Sequence, residues 1–136
     1  MQVTSQNAPV ARRWAQTLYL VIAGLIQFGI LLQGFLIGAY LFGGGTWGQE
    51  AHGFVGLALL LLSLLLPLVG LLAQVPGRMK IWGFLLFALM IIQFFLPATS
   101  GSAPLIAALH PANAMILFGL NLFLIFRIRQ IMRTND

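Results

Sequence analysis

The fold class of this protein is decided by one uncharged stretch, GFVGLALLLLSLLLPLVGLLA, which occupies residues 53–73. A helix needs roughly 20 predominantly apolar residues to cross the ~30 Å hydrocarbon core of a bilayer, and this stretch supplies them. Hydrocarbon offers no partner to unpaired backbone groups, and the stretch has no strand-like alternation of polar and apolar residues. It is therefore predicted to form a transmembrane helix.

Three more apolar segments accompany this one along the 136-residue chain. The first is long enough to tilt or to project from the bilayer, and the third is short for a full crossing. The sequence thus predicts an all-α fold, an integral membrane four-helix bundle that forms a single transmembrane domain over residues 1–136. The four predicted spans cover about residues 14–42, 50–74, 80–97 and 104–127.

The composition excludes several other classes of protein. The chain is 60% hydrophobic and only 7% charged, whereas roughly a quarter of the residues in a soluble domain are charged. It contains no cysteine, so neither a disulfide framework nor a thiolate metal site is possible. Its seven basic residues are too scattered to follow a phosphate backbone, so we expect no nucleic acid as partner and the lipid bilayer instead.

The basic residues predict the orientation in the membrane, because positively charged loops stay on the cytoplasmic side. All seven lie at one end of the predicted spans: before the first, between the second and third, and after the fourth. We therefore expect a multi-pass protein of the cell's inner (plasma) membrane, with both termini cytoplasmic and with loops 43–50 and 97–104 outside. The seven are Arg12, Arg13, Arg78, Lys80, Arg127, Arg129 and Arg133.

The two hairpins of the predicted bundle resemble each other in sequence. The segment ILLQGFL at residues 30–36 aligns with MIIQFFL at residues 90–96, and a glutamine occupies the same place in both. With the first outer loop longer by two residues, His52 pairs with His110. Both copies run from the inside to the outside and back. The bundle is therefore predicted to consist of two parallel-repeat helical hairpins, related by an axis along the membrane normal.

His52 and His110 are the two histidines of the chain, and both lie near the outer ends of their predicted helices. Two imidazoles at one depth on facing helices suit the axial ligands of a single haem b iron. Imidazole binds haem iron well, and a neutral imidazole avoids the cost of a charge within the membrane. The alternative is that each histidine only forms hydrogen bonds with its neighbours. The sequence favours His52 and His110 as metal ligands of one haem b.

Small and amide residues surround the two histidines. Gly53 and Gly56 follow His52 on its helix and would let a flat ring approach the backbone. Gln93 and Asn113 are polar residues at lipid depth that would hold a histidine tautomer or a propionate. All four are candidate cofactor-binding residues. Small residues and intramembrane amides also serve helix packing and interhelical hydrogen bonding, and that interpretation stays open.

The residues around the histidines also resemble known families. The motifs LLQGFLIG at 31–38, E-x-H at Glu50 and His52, and LHPANA at 109–114 are similar to those of small uncharacterised four-span bacterial membrane proteins. They also resemble one four-helix half of haem A synthase, in which paired outer-side histidines bind haem. The resemblance implies that His52 and His110 are ligands and that Glu50 lies near a reactive acid. That family's acid lies one residue further from its histidine, and the second four-helix half is missing here, so enzymatic activity stays open.

A second function class is also compatible with the sequence. The protein would then be a non-catalytic accessory subunit of a respiratory or photosynthetic membrane complex. Its histidines would each coordinate a chlorophyll-type pigment, or bind no cofactor at all. In the haem interpretation the role is electron transfer or redox sensing, and the expected partner is a larger membrane redox complex or a second copy in a homo-oligomer. The colour of the purified protein distinguishes these functions.

The predicted orientation is testable by labelling single cysteines in intact cells, because the native chain has none. We expect Thr46→Cys and Ser100→Cys to react with a membrane-impermeant maleimide from outside, since both lie in predicted outer loops. Arg78→Cys should react only after the cells are permeabilised. Labelling of the Arg78→Cys variant in intact cells would contradict the orientation.

Overall fold

The computed structural model describes residues 7–134, and within that range every regular element is helical. The all-α prediction is therefore confirmed. Four long helices are joined by short connections, and a 3-10 turn and a short helix lie between the last two of them. In chain order the elements are α1 (Asn7–Leu41), α2 (Trp47–Leu72), α3 (Gly77–Phe95), the 3-10 turn (Leu96–Thr99), α4 (Pro104–Ala107) and α5 (Leu109–Thr134).

Four segments are long and apolar enough to cross a membrane, in agreement with the four predicted spans. The third is not short, because the 3-10 turn continues α3 and brings the segment to 23 residues. α1 and α5 extend past the apolar runs at the basic end, since the backbone hydrogen bonds of a helix do not require hydrocarbon. The segments are Arg12–Leu41, Trp47–Leu72, Gly77–Thr99 and Pro104–Thr134.

The long helices form a four-cornered bundle in which helices adjacent in sequence pack side by side. α1 packs against α2 and α5, and α3 packs against the same two helices. α1 and α3 therefore lie on one diagonal, and α2 and α5 on the other. Every long helix contributes at least one completely buried large side chain to the apolar core, among them Ile26, Leu66, Leu86 and Leu124.

Two asparagines on α5 attach it to both of its neighbours. The Asn113 amide donates to the Leu89 carbonyl of α3 at 3.0 Å. The Asn121 amide donates to the Ala23 carbonyl and to Gln27 Oε1 of α1, both at 2.8 Å. Eight residues correspond to about 80° around a helix, which matches the corner that α5 occupies between α3 and α1. These intramembrane amides therefore form interhelical hydrogen bonds, as polar residues at lipid depth often do.

The outer end of the bundle, so called because the basic residues predict that it faces outward, contains a tight glycine turn between α1 and α2. Gly43 and Gly45 have φ values of 88° and 93°, in the left-handed region that favours glycine. Gly48 then lies very close to α1. A β-carbon at Gly48 would sit 2.6 Å from the Leu36 carbonyl oxygen and 2.9 Å from the Tyr40 amide nitrogen. This approach sets the spacing of α1 and α2 one turn before the first histidine.

We expect Gly48→Ala to destabilise the bundle by about 1–3 kcal/mol, the usual cost of overpacking, because the added methyl group would meet the backbone of α1. Gly38→Ala is the matched control on α1, since a β-carbon at Gly38 meets no atom within 4 Å and alanine favours a helix over glycine. Thermal unfolding in detergent, followed by circular dichroism, measures both variants. Equal stability of the two would contradict the close approach.

Candidate functional site

A cavity of about 560 Å³ lies among the outer halves of the four long helices. This volume is in the range of ordinary small-molecule and cofactor sites, and the walls are mainly apolar, as they are in such sites. Among the described residues, no aspartate, glutamate, lysine or arginine lines the cavity. The polar side chains in its walls belong to three glutamines and the two histidines: Gln33, Gln49, Gln93, His52 and His110.

The lining residues come in pairs, one from each hairpin. Sixteen of the seventeen lining residues form pairs with a constant spacing. Each lining residue of α1 is matched by a lining residue 60 positions later in the chain, and each lining residue of α2 except Gln49 is matched by one 58 positions later. Both hairpins therefore turn the same face toward the cavity. The eight pairs are Ile30 with Met90, Gln33 with Gln93, Gly34 with Phe94, Ile37 with Pro97, His52 with His110, Gly53 with Pro111, Gly56 with Ala114, and Leu59 with Leu117.

His52 is held by the backbone of α1. Its Nδ1 lies 3.2 Å from the Gln33 carbonyl oxygen, and the Gln33 side-chain amide donates to the His52 carbonyl at 2.9 Å. A carbonyl oxygen can only accept a hydrogen bond, so Nδ1 carries the proton and Nε2 carries the lone pair. Within the described part of the chain, Nε2 of His52 has no hydrogen-bond partner.

His110 has the same arrangement in the second hairpin. Its Nδ1 donates to the Gln93 carbonyl oxygen at 3.0 Å. In a regular helix that carbonyl would accept from the amide of residue 97, but Pro97 has no N–H to donate. The proline therefore leaves a free acceptor on the wall of the cavity, and His110 occupies it.

The second ring nitrogen of His110 is also hydrogen-bonded. The Gln93 side-chain nitrogen lies 3.1 Å from Nε2 of His110, and Gln93 Oε1 accepts from the Asn113 amide at 2.8 Å. Because Oε1 of Gln93 is the acceptor for Asn113, the NH₂ group of Gln93 is the donor to Nε2. His110 is thus the same Nδ1–H tautomer as His52, but its lone pair is covered by Gln93.

The two imidazole rings approach each other across the cavity. Their centroids are 6.0 Å apart, and the ring planes are inclined by 53°. Both histidines are partly buried and line the cavity from opposite corners of the bundle. The structure therefore brings His52 and His110 together, each with Nε2 as the unprotonated nitrogen, which is the form of histidine that binds metals.

Glycines leave space on the side of the first hairpin. A β-carbon at Gly34 or Gly53 would meet no atom within 4 Å, and both residues line the cavity. Gly56 is more confined, because a β-carbon there would lie 3.0 Å from Gln33 Nε2. A β-carbon at Gly38 also meets nothing within 4 Å. Gly34 therefore widens the cavity, and neither Gly34 nor Gly38 brings two helix backbones together.

The other residues predicted from the sequence differ in their relation to the cavity. Gly53, Gly56 and Gln93 line it. Asn113 does not line it, but it is buried behind Gln93 and bonded to that side chain. Glu50 is exposed in the first turn of α2 and lies outside the lining. Glu50, which the resemblance to haem A synthase places near the position of a reactive acid, is thus separate from the cavity.

Several residues of the site are not predicted from the sequence, among them Ile37, Phe94, Pro97 and Leu117. A signal for the apolar walls exists, because residues three, four or seven positions from a glutamine or histidine share its helix face. A signal for Pro97 exists as well. A proline four residues after Gln93 implies a free backbone carbonyl at the glutamine.

Comparison with known families identifies a match over the middle of the chain. The model of a family of unknown function (DUF6220) matches residues 33–100, which is half of the sequence. The matched segment includes Gln33, His52 and Gln93 and ends before His110. No curated protein and no solved structure is significantly similar to this chain. The chain therefore belongs to the DUF6220 family, a family of unknown function.

Proposed function

We propose that this protein binds one haem b between α2 and α5, with His52 and His110 as axial ligands, and that it serves in electron transfer or redox sensing. When bound, haem b supplies a reversible one-electron change at its iron. The role of the protein would be to hold the haem, to orient the two histidines and to keep water away.

One observation carries the proposal, namely the matched hydrogen bonds of the two histidines. Each histidine donates Nδ1–H to the carbonyl of a glutamine on the preceding long helix, at 3.2 Å for His52 and 3.0 Å for His110. Metal-ligating histidines almost always donate their second ring nitrogen to a carbonyl, carboxylate or water, which fixes the tautomer and makes the ligating nitrogen more basic. Both imidazoles are therefore prepared to bind through Nε2.

The spacing of the rings supports two axial ligands on one metal. Metal–imidazole bonds of about 2 Å imply ligating nitrogens about 4 Å apart and ring centroids about 6 Å apart. The centroids of His52 and His110 are 6.0 Å apart. The separation of the two rings therefore suits one metal held by both imidazoles.

The small number of ligands favours a tetrapyrrole over a bare ion. Within residues 7–134, no group of three or more histidine, cysteine, aspartate or glutamate side chains is placed to hold a metal. A structural zinc site takes four protein ligands, and a catalytic one takes three. A tetrapyrrole brings four nitrogens of its own, so two imidazoles complete the coordination of its iron.

The walls of the cavity also suit a flat and mostly apolar group. Gly34 and Gly53 leave open space beside His52. Apolar residues fill most of the remaining wall, and such a lining excludes water from the metal and tunes its potential. Gln49 also lines the cavity, and its side-chain amide would be a neutral donor for a propionate that did not extend into water.

Electron transfer or redox sensing is favoured over chemical modification of the haem. Among the described residues, the two histidines are the only acid–base groups in the cavity wall, and both are assigned as ligands. Glu50 is exposed and outside the wall. The resemblance to haem A synthase therefore bears on the ligand roles alone, because no described residue of the cavity wall corresponds to that family's reactive acid.

We further propose that the bundle is a duplicated hairpin. Eight pairs of equivalent residues line the cavity, and the His52–Gln33 and His110–Gln93 hydrogen bonds join equivalent positions. A parallel repeat has its pseudo-twofold axis along the membrane normal, so equivalent residues lie at one depth. This relation explains how a single-chain protein presents two histidines to one ligand.

The one-sided basic residues support the membrane arrangement proposed from the sequence, with the protein in the plasma membrane and both termini cytoplasmic. The haem then lies near the outer surface. Because a redox protein must exchange electrons with another centre, we propose a larger membrane redox complex or a second copy of this chain as the partner.

The haem proposal is testable with cavity variants of the ligands. We expect His52→Gly and His110→Gly each to abolish the six-coordinate low-spin absorption spectrum, because loss of one axial ligand opens a coordination position. Imidazole added to the buffer should restore the spectrum, since the glycine leaves room for it. Gly119→Leu, on the exposed surface of α5 and outside the cavity, is the control with unchanged spectrum.

Two outcomes would contradict the shared-iron arrangement. One is a histidine variant that keeps the full low-spin spectrum. The other is a far-red band in the wild-type protein, which would indicate a chlorophyll-type pigment on single histidines and an accessory role in a larger complex.

A second test fills the cavity without touching a ligand. We expect Gly53→Leu to reduce haem binding at least tenfold, because the side chain would extend into the open space beside His52. The fold should persist, since a β-carbon at this position meets no atom within 4 Å. Haem titration followed by absorption measures the affinity, with Gly119→Leu again as the matched control. Unchanged affinity in Gly53→Leu would show that the ligand binds elsewhere.

A further inference from the structure

The two histidines are equivalent in position but not in accessibility. Nε2 of His110 accepts from the Gln93 amide at 3.1 Å. The equivalent amide of Gln33 donates instead to the His52 carbonyl, at 2.9 Å. The lone pair of one histidine is therefore covered by a side chain, and the lone pair of the other is not.

The difference follows from one position on the second helix of each hairpin. In the second hairpin that position is Asn113, whose amide donates both to the Leu89 carbonyl and to Gln93 Oε1. The equivalent residue of the first hairpin is Val55, 58 positions earlier, which has no polar side chain. Asn113 therefore holds the Gln93 side chain with its NH₂ group toward Nε2 of His110, and the first hairpin has no such donor at Val55.

In the first hairpin, the glutamine oxygen lacks the donor that Asn113 provides in the second hairpin. Gln33 Oε1 is buried and has no hydrogen-bond partner among the described residues. A buried acceptor without a donor is unfavourable, and most such atoms in proteins are paired. The partner that Gln93 Oε1 finds in Asn113 is absent where Val55 stands.

We infer that Asn113 sets the order in which the histidines bind the haem: it holds Gln93 on Nε2 of His110, so His52 binds first and His110 only after Gln93 has turned away. This inference rests on the proposed function and adds a regulatory step to it. Asn113 is a positioning residue, because it acts through Gln93, and the Gln93 amide competes with the metal for the lone pair of His110 Nε2. The difference between Asn113 and Val55 thus causes two otherwise equivalent histidines to bind the haem one after the other.

The inference is tested first without haem, by nitrogen NMR of protein labelled with ¹⁵N-histidine and purified in detergent. An unprotonated imidazole nitrogen moves to lower frequency when it accepts a hydrogen bond. We expect Nε2 of His110 at lower frequency than Nε2 of His52. Asn113→Val should move the His110 signal toward that of His52, because Gln93 is then free to turn to the backbone as Gln33 does.

Two further variants test whether the shift of the His110 signal in Asn113→Val comes from the Gln93 amide or from a change in the fold. Gln93→Leu removes the covering amide directly and should give the same shift of His110 as Asn113→Val. Val55→Asn is the converse change, because the new amide has Gln33 Oε1 as an acceptor and directs the Gln33 NH₂ group toward Nε2 of His52. The His52 signal should then move to lower frequency. Unchanged His110 signals in both Asn113→Val and Gln93→Leu would overturn the inference.

The order of binding is measured by stopped-flow absorption after haem is mixed with the haem-free protein. We expect a five-coordinate high-spin species first and the six-coordinate low-spin species second. Asn113→Val should accelerate the second phase about fivefold, the factor that one ordinary hydrogen bond produces, and Val55→Asn should slow the first phase. An unchanged second phase in Asn113→Val would overturn the proposed order.

The haem proposal and this inference fail in different ways. A protein that acquires no Soret band in any variant overturns the haem proposal. The nitrogen spectra still decide whether Asn113 holds Gln93 on Nε2 of His110, because they require no haem, and the stopped-flow phases decide the order of binding in a protein that does bind haem.

Discussion

A hydrogen bond between a histidine Nδ1 and the backbone carbonyl of a glutamine, formed once in each hairpin, is the interaction on which the outer half of this bundle depends. It joins α2 to α1 through His52 and Gln33, and α5 to α3 through His110 and Gln93. Hydrocarbon provides no partner for polar groups, so such groups must be satisfied inside the protein. The same bonds fix both imidazole tautomers and leave Nε2 of each ring as the basic nitrogen.

One part of the bundle is tightly packed, and another part encloses the cavity. Its core contains large apolar side chains with no exposure on all four long helices, such as Leu66 and Leu124. In the outer half, Gly34 and Gly53 leave an open volume between the hairpins. The packed part provides a rigid frame, and the asparagines of α5 attach that helix to both neighbours. A site on rigid elements keeps its two imidazoles at a fixed separation, which the proposed haem binding would require.

The near symmetry of the cavity, and the one place where it breaks, connect sequence to function. Sixteen of its lining residues form equivalent pairs, so the two hairpins present the same chemistry to whatever binds between them. Asn113 has no polar equivalent at Val55, and only the second hairpin therefore holds its glutamine amide on Nε2 of its histidine. In the proposed duplication, the two copies of one hairpin supply His52 and His110, and the difference between Asn113 and Val55 gives these histidines unequal surroundings.

The sequence by itself determined the helical class, the number of spans and the two histidines, because these follow from apolar run length and from residue chemistry. The alignment of the hairpins also indicated that His52 and His110 share a depth. Tertiary structure decided the rest. That Pro97 frees a carbonyl for His110, that Glu50 lies outside the cavity and that Asn113 orients Gln93 depend on which helix faces meet. Apolar periodicity cannot specify those faces in a membrane, where the lipid side is as apolar as the core.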